Sequence, residues 1–275
     1  MTEQKKKIFE SANFLKGKNP FKKISPFAIV TYYNPSFIKA FKIVKRVSYK
    51  DIPPPFSSGN EKLNGDVLFA AHKNKNLIIL NGHVNYYDGY DMNDAAHYIY
   101  VLQALGVAKI LFIDEVGHLN PRFKAGSVAL IYDHINLMGN NPLIGENDNS
   151  IGPRFPDMSN AYDEKWTADI EKFLIDKKFR FYPSVYIGVT GPETETEAEC
   201  RLYREIGADV LGYCLVPENI AAVHAGLSCA AFGIISRELV ADRLVEISEE
   251  EKLSNRQKAE KSFASILAEL VSSIK

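Results

Sequence analysis

The chain alternates between short apolar runs and longer segments with helical periodicity. Eight runs are rich in β-branched and aromatic residues: PFAIVTYY, DVLFAA, NLIILNG, KILFID, SVALIY, SVYIGVT, ADVLGY and AAFGIIS. Runs of this length and composition predict β-strands. Between several of them, apolar residues recur three and four positions apart, as in Asp94 to Leu105 and Glu197 to Ile206. The alternation predicts an α/β fold with a mainly parallel sheet and binding loops at strand ends.

The end of the chain has the pattern of one long helix. Ser248 or Ser254 is suited to cap this helix. The buried stripe of the helix would consist of Phe263, Ile266, Leu267, Leu270 and Ile274. No linker rich in Pro, Gly or Ser divides the chain, so residues 1–275 are expected to form a single domain. In this division residues 1–25 form an N-terminal extension and residues 248–275 the C-terminal helix.

Two turn-rich segments, residues 51–64 and 139–159, are predicted to be loops. The second is long for a passive connection. Long ordered loops in compact domains often carry binding residues, so it is a candidate part of a binding site.

Charge and cysteine content narrow the class of protein. The 33 basic and 34 acidic residues nearly cancel and are mostly interspersed, so no nucleic-acid partner is expected. No segment approaches the roughly 18 apolar residues of a membrane span, and the N-terminus has no apolar signal core. Cys200, Cys214 and Cys229 form no CxxC pair, which favours reduced thiols. A cytoplasmic protein without a membrane partner is therefore expected.

Metal and dinucleotide signatures are missing from the sequence. The six histidines, His72, His83, His97, His118, His134 and His224, show no HxH or HExxH spacing. The Gly-rich dinucleotide fingerprint is also absent. We expect no metal and no cofactor.

Three long stretches carry a family resemblance. NGHVNYYDGYD covers residues 81–91, a stretch beginning GHLNPRF covers 117–163, and one beginning VYIGVTGPETETEAE covers 185–227. In this order they resemble the trimeric purine nucleoside phosphorylases, the family that includes methylthioadenosine phosphorylase. The resemblance spans most of residues 27–238.

The resemblance implies both a fold and a reaction. The fold is a single α/β domain with a mixed, partly barrel-like central sheet flanked by helices, usually in a homotrimer with active sites near subunit interfaces. Family members cleave the bond between ribose and a purine base, with phosphate as the nucleophile. This chemistry needs an anion site, a surface for the sugar, and groups that stabilise negative charge on the departing base. The implied partner is a small purine nucleoside or analogue.

On the base and sugar side, several residues match the family pattern. Glu195, in GPETETEAE, aligns with the glutamate that hydrogen-bonds the purine ring edge, where a carboxylate accepts from N–H donors. Tyr87 matches a tyrosine near the ribose, Tyr213 stands at a sugar-contacting position, and Phe155 matches an aromatic residue lent across the subunit interface. Two alternatives stay open: Glu195 could stabilise a helix dipole, and Tyr87 and Phe155 could be packing residues.

Arg237 departs from the base-side pattern. The family has Asn or Asp after the strand that here reads FGIIS. An arginine offers five donors and no acceptor, so it cannot copy those contacts. It could pair with Glu195, bind an acidic group on an unfamiliar ligand, or turn outward to solvent.

The phosphate side departs further. The family has a Gly-rich turn after the first strand because backbone N–H groups approach an anion only where side chains are absent. This chain has Tyr32, Tyr33, Asn34, Pro35 and Ser36 there, and proline lacks an N–H.

Three further phosphate-contacting positions are altered. At the two positions where the family has Arg and His, this chain has His83 and Asn85. At the position of a phosphate-contacting serine, it has Cys214. The small NAAGG turn is replaced by the segment from Asp114 through Glu115 to His118. Together the changes remove a fixed positive charge and add up to two negative charges, so orthophosphate is expected to bind poorly.

Three functions remain open from the sequence. In the first, the chain cleaves the N-ribosyl bond with water, Glu115 or Asp114 is the general base, and His83 or His118 orients the proton. Because neighbouring strand residues point to opposite sides, at most one of the two acids is expected to face the site.

The second function is a phosphorylase with a rebuilt phosphate site. In that case the hydroxyls of Tyr32 or Tyr33, cationic His83 and Arg237 would replace the lost donors. The third function is a non-catalytic relative that binds a nucleoside or pairs with an active paralogue.

Overall fold

The structure is a computed structural model that describes residues 2–23, 25–56, 65–82 and 85–274. The strands are β1 (Phe27–Thr31), β2 (Lys42–Ser48), β3 (Asp66–His72), β4 (Lys75–Asn81), β5 (Lys109–His118), β6 (Ser127–Asn136), β7 (Tyr182–Gly188), β8 (Val210–Gly212) and β9 (Ser228–Glu238). The α-helices are α1 (Glu3–Lys18), α2 (Met92–Ala95), α3 (His97–Leu105), α4 (Glu164–Asp176), α5 (Glu197–Glu205), α6 (Leu215–His224) and α7 (Glu249–Ser273). Short 3₁₀ helices cover Ser36–Ala40, Tyr49–Asp51, Tyr86–Asp88 and Ala241–Arg243.

The described strands form one mixed sheet that partly closes into a barrel. Their order is β2-β3-β4-β1-β5-β8-β7-β6-β9, and β9 pairs back onto β5. The strands β5, β8, β7, β6 and β9 therefore form a closed ring, from which β1, β4, β3 and β2 extend as an open arm. This confirms the expected α/β single domain with a mixed, partly barrel-like sheet. The prediction of a mainly parallel sheet is only half right, because five strand pairings are parallel and four are antiparallel in the part of the chain described.

Helices cover both faces of the sheet. The apolar side chains of α1, α3 and α6 are buried on one face, and those of α4 and α7 on the other. The cap of α7 is Ser248, whose side chain accepts from the Glu251 N–H over 3.1 Å. Phe263 of α7 is fully buried and packs edge-on against Phe232 of β9, with ring centroids 4.7 Å apart. The predicted stripe thus fixes the whole C-terminal helix against the barrel.

Residues 1–25 contribute to the core. Ile8, Ala12 and Leu15 of α1 are buried within the cluster that also contains α3. The predicted extension therefore packs as part of the domain.

Several local predictions differ from the structure. Strand β2 was missed because it is a mostly exposed strand at the sheet edge, and its lysines and arginine break the apolar pattern typical of a buried strand. The predicted helix from Asp94 to Leu105 is two helices that meet at Ala96. The strand predicted to end at Asp114 continues to His118. The segment from Asp114 to His118 is therefore part of β5, and its interpretation as a turn is wrong.

Residues 139–159 contain no helix or strand, as predicted, and residues 57–64 of the other predicted loop lie outside the description. Cys200, Cys214 and Cys229 are free and buried. Among the described helices none is long and apolar enough to cross a membrane.

Candidate active site

A cavity of about 390 Å³ lies beside the barrel, where several strand ends meet the first turn of α7. Its polar and aromatic lining consists of Tyr32, Tyr33, Asn85, Tyr87, Asp114, Glu115, Thr194, Tyr213, Cys214, Ser236, Arg237, Glu249 and Lys252. These residues follow β1, β4, β7 and β8, belong to β5 and β9, or begin α7. The topology therefore brings residues more than 200 positions apart in the chain to one site.

Most of the predicted site residues meet at this cavity. Nine of them line it: Tyr32, Tyr33, Asn85, Tyr87, Asp114, Glu115, Tyr213, Cys214 and Arg237. Glu195 is buried directly behind the lining, in contact with Tyr213. The cavity thus brings together most of the residues predicted for the site and is the candidate active site.

A buried polar triad forms the base side of the cavity. Arg237 Nη2 donates to the Tyr213 hydroxyl oxygen over 2.6 Å, and that hydroxyl donates to Glu195 Oε1 over 2.7 Å. Arg237 Nη1 lies 3.3 Å from Glu195 Oε2, which closes the ring of contacts. The side chains of Arg237 and Glu195 are only 10% and 4% exposed, so the alternative in which Arg237 turns to solvent is wrong.

The pKa values of two members of this triad, Tyr213 and Arg237, are raised above their ordinary values. Burial raises the pKa of the Tyr213 hydroxyl above its ordinary value, so the group stays a donor. Burial alone would lower the pKa of Arg237, but Tyr213 and Glu195 raise it above its ordinary value. The Tyr87 ring packs edge-on against Tyr213 with centroids 6.1 Å apart, which gives an aromatic wall beside the charged pair.

Asp114 lies on the barrel side of the cavity. The Tyr186 hydroxyl donates to Asp114 Oδ2 over 2.8 Å and lies 3.3 Å from the Cys214 N–H, which donates to it. Gly212 is required here, because a Cβ at this position would lie 2.8 Å from Asp114 Oδ2 and closer still to the Tyr186 hydroxyl. Burial raises the pKa of the Cys214 thiol well above its ordinary value, so Cys214 is not a thiolate nucleophile.

Glu115 turns to the other side of β5. Its Oε2 accepts from Arg256 Nη1 of α7 over 2.8 Å, while its Oε1 is buried and has no hydrogen-bond partner among the described residues. The two neighbouring acids therefore diverge, as strand geometry predicts. The expectation that only one of them would face the site is wrong, because both residues line the cavity.

Arg256 changes the predicted charge balance of the phosphate side. Its guanidinium lies 5.0 Å from the centre of the Tyr33 ring and 4.0 Å from Glu260 Oε1. Burial alone would lower the pKa of Arg256, but the hydrogen bond and charge of Glu115 raise it above its ordinary value. A fixed positive charge is thus present beside the cavity, supplied by α7 rather than by the position where the family has its arginine.

The start of the short helix Ser36–Ala40 is also occupied by a carboxylate. The Ser36 N–H donates to Glu260 Oε2 over 2.7 Å, and the Ser36 hydroxyl donates to the same oxygen. The side chain of Glu260 is only 3% exposed. The N–H and the hydroxyl of Ser36 are therefore satisfied from within the protein.

Two predicted residues, Phe155 and His118, lie elsewhere. Phe155 is 87% exposed and lines a different cavity of about 460 Å³, together with Ile144, Arg154 and Met158. His118 is fully buried, its Nδ1 lies 3.0 Å from the Asn120 carbonyl oxygen, and burial lowers its pKa. It does not line the cavity, so its proposed role in orienting a proton is wrong. His83 lies outside the described residues.

Sequence reasoning missed the residues that α7 contributes. Lys252, Arg256 and Glu260 are spaced four residues apart and therefore share one face of the helix. This spacing indicates a charged face on α7, whereas the sequence prediction for the helix covered only its apolar stripe. No group of three or more His, Cys, Asp or Glu among the described residues is arranged to hold a metal ion.

Comparisons with known proteins agree with this fold. Residues 54–272 match the family model of the phosphorylase superfamily. Purine nucleoside phosphorylase 1 of Bacillus subtilis is 39% identical over 215 residues, which cover 75% of this chain and 79% of that protein. Purine nucleoside phosphorylase of Mus musculus is 35% identical over 199 residues, which cover 70% of this chain and 69% of that protein.

A solved structure gives the same result at the level of the fold. Isoform 2 of purine nucleoside phosphorylase from Schistosoma mansoni, in complex with cytosine and ribose-1-phosphate, has a TM-score of 0.88 and 26% identity. The match covers 98% of this chain and 97% of that one. The chain therefore belongs to the purine nucleoside phosphorylase family, which confirms the resemblance seen in the sequence.

Proposed function

We propose that this chain cleaves the N-ribosyl bond of purine nucleosides and uses water in preference to orthophosphate as the nucleophile. The observation that carries this proposal is the pairing of Glu115 with Arg256. One carboxylate oxygen is fixed by the guanidinium, whereas the other is an acceptor without a partner among the described residues. A carboxylate held in this way is suited to accept a proton from water.

The bond changes of the proposed reaction follow from this arrangement. The water oxygen forms a bond to the anomeric carbon while Glu115 takes its proton, and the bond between the sugar and the base breaks. The bonding electrons leave with the base, which takes a proton from solvent water to become the free purine, and Glu115 returns the proton it accepted to solvent. Arg256 acts as a positioning residue because it fixes the carboxylate without touching the substrate.

The triad of Glu195, Tyr213 and Arg237 supports binding of the base at the opposite side. Glu195 Oε2 has no hydrogen-bond partner among the described residues and lies 3.3 Å from Arg237, so the carboxylate retains acceptor capacity for a purine N–H. Arg237 lines the cavity and carries a fixed positive charge. Such a charge stabilises the negative charge that gathers on the departing base.

A second candidate is a phosphorylase with a rebuilt phosphate site, and the position of Arg256 favours it. A guanidinium can bind a phosphate oxygen as well as a carboxylate. The difference between the two candidates is the partner of Arg256 during turnover. We favour the hydrolytic reaction because Arg256 is already paired with Glu115.

The proposal predicts that free base is released from purine nucleosides at the same rate with and without millimolar phosphate. The assay uses a panel of purine nucleosides and follows base release in both buffers. Purine nucleoside phosphorylase 1 of Bacillus subtilis is a suitable comparison for phosphate dependence. Release that requires phosphate would support the second candidate, and no release in either buffer would favour a non-catalytic nucleoside-binding protein.

We further propose that the chain acts as a homotrimer in which Phe155 covers the sugar in the site of a neighbouring subunit. The side chain of Phe155 is almost fully exposed, and Ile144, which is 63% exposed, lies with it along the same apolar cavity. An exposed apolar patch of this kind is typical of a protein contact. The family resemblance, in which an aromatic residue is lent between subunits, supports a second copy of this chain as the partner.

Mixed oligomers test this arrangement. Phe155→Ala and Glu115→Gln are each expected to lose most activity, because each removes one part of every site. When the two variants are unfolded, mixed and refolded together, some sites gain both intact residues and activity should return. If the mixture is no more active than its components while size-exclusion chromatography shows mixed trimers, Phe155 does not act across the interface.

We also propose a cytoplasmic location. The three free and buried cysteines support it, because thiols persist in a reducing compartment. Cell fractionation of the native protein tests this proposal directly.

A further inference from the structure

Two carboxylates accept hydrogen bonds from donors on the α7 side of the cavity. Glu115 accepts from Arg256 over 2.8 Å, and Glu260 accepts from the Ser36 N–H over 2.7 Å. Glu260 Oε1 also lies 4.0 Å from Arg256 Nε. Arg256 therefore lies between two protein carboxylates, and among the described residues Glu115 accepts a short hydrogen bond from it.

The environment of the Glu115–Arg256 pair makes it stronger than a surface ion pair. The two side chains are 16% and 28% exposed, and the Tyr33 ring packs against the guanidinium. Charges that are partly removed from water interact more strongly than exposed charges because the local dielectric is lower. An incoming anion must displace Glu115 from Arg256 and then lie close to that displaced carboxylate.

We infer that Glu115 is an internal counter-ion that masks Arg256 and excludes inorganic anions such as orthophosphate from the cavity. Glu115 is thus the residue that determines which nucleophile the site accepts. The consequence of this inference for catalysis rests on the proposed function. The inference itself concerns anion binding alone, however, and can be tested without any nucleoside.

Replacing Glu115 by Ala should expose Arg256 and create an anion site. We expect the Glu115→Ala variant to bind orthophosphate at least about tenfold more tightly than the natural protein, because both the competing acceptor and its charge are removed. Isothermal titration calorimetry and the phosphate-dependent rise in Tm measure this binding. Sulfate serves as a second probe with the same tetrahedral arrangement of oxygens.

Two controls assign the effect to Arg256. Glu249→Ala removes a carboxylate that lines the same cavity, but this side chain is 89% exposed and lies 3.8 Å from Lys252, so any gain in phosphate affinity should be much smaller than in Glu115→Ala. The double variant Glu115→Ala, Arg256→Gln should lose the gained affinity. Glu115→Gln keeps the size of the side chain and should gain less than Glu115→Ala, which provides a second variant if the smaller side chain impairs folding.

Three results would overturn the inference. The first is the absence of a gain in phosphate affinity in folded Glu115→Ala and Glu115→Gln. The second is a gain that survives loss of Arg256, and the third is an equal gain in Glu249→Ala. Because no nucleoside is present, a protein that fails to cleave nucleosides still gives a clear result in this titration.

Discussion

Glu115→Gln is expected to lower the turnover of purine nucleosides by about 10²- to 10⁴-fold, the range typical for loss of a general base. Glutamine keeps the size and the carbonyl oxygen of the side chain, so Arg256 retains an acceptor. It cannot take a proton from water at neutral pH. Nucleoside affinity should change little, because Glu195 and the aromatic wall of Tyr87 and Tyr213 are left in place.

The measurement for this variant separates turnover from binding. Steady-state kinetics gives kcat, and nucleoside binding followed by calorimetry gives Kd. Glu249→Gln is the matched control, because it neutralises another carboxylate of the same cavity and should keep nearly full turnover. Wild-type turnover in Glu115→Gln would reject Glu115 as the base and direct attention to Asp114.

Glu195→Ala is expected to abolish nucleoside binding. It removes the acceptor for the purine and leaves Arg237 buried without its carboxylate partner. Loss of one member of a buried ion pair destabilises a protein by about 3–5 kcal/mol, so the Tm of this variant should also fall. The structure therefore predicts a loss of both binding and stability.

A companion variant separates these two effects. Glu195→Gln keeps the shape of the side chain and an oxygen that accepts from Tyr213, so its Tm should fall less while nucleoside affinity stays low. Glu197→Ala, in the same segment but exposed, is the control and should bind nucleosides normally. Unchanged nucleoside affinity in folded Glu195→Ala or Glu195→Gln would remove Glu195 from the base site.

Local patterns predicted the elements of the fold better than their arrangement. The apolar stripe of α7 and its Ser248 cap follow from helical spacing and are present in the structure. Closure of the barrel depends on the pairing of β5 with β9, whose residues are more than 100 positions apart. No local sequence pattern contains such a pairing, and only the family resemblance indicated it.

The candidate site was predicted in part for the same reason. Alignment identified Glu195, Tyr213 and Arg237 as site residues, and the structure shows that they contact one another. Arg256 was missed because its role depends on where α7 docks against β5 and not on the local sequence. The charge of the site was predicted only from residues at the family's site positions. It therefore omitted Arg256, a cation that the fold places beside Glu115.

The central claim, cleavage by water, is tested most directly by the identity of the sugar product. The protein is incubated with a purine nucleoside in millimolar phosphate, and ³¹P nuclear magnetic resonance follows the phosphorus species while chromatography measures free ribose and base. We expect free ribose in an amount equal to the released base and no signal from ribose 1-phosphate. Ribose 1-phosphate formed in proportion to the released base would contradict the account and assign the chain to the phosphorolytic members of its family.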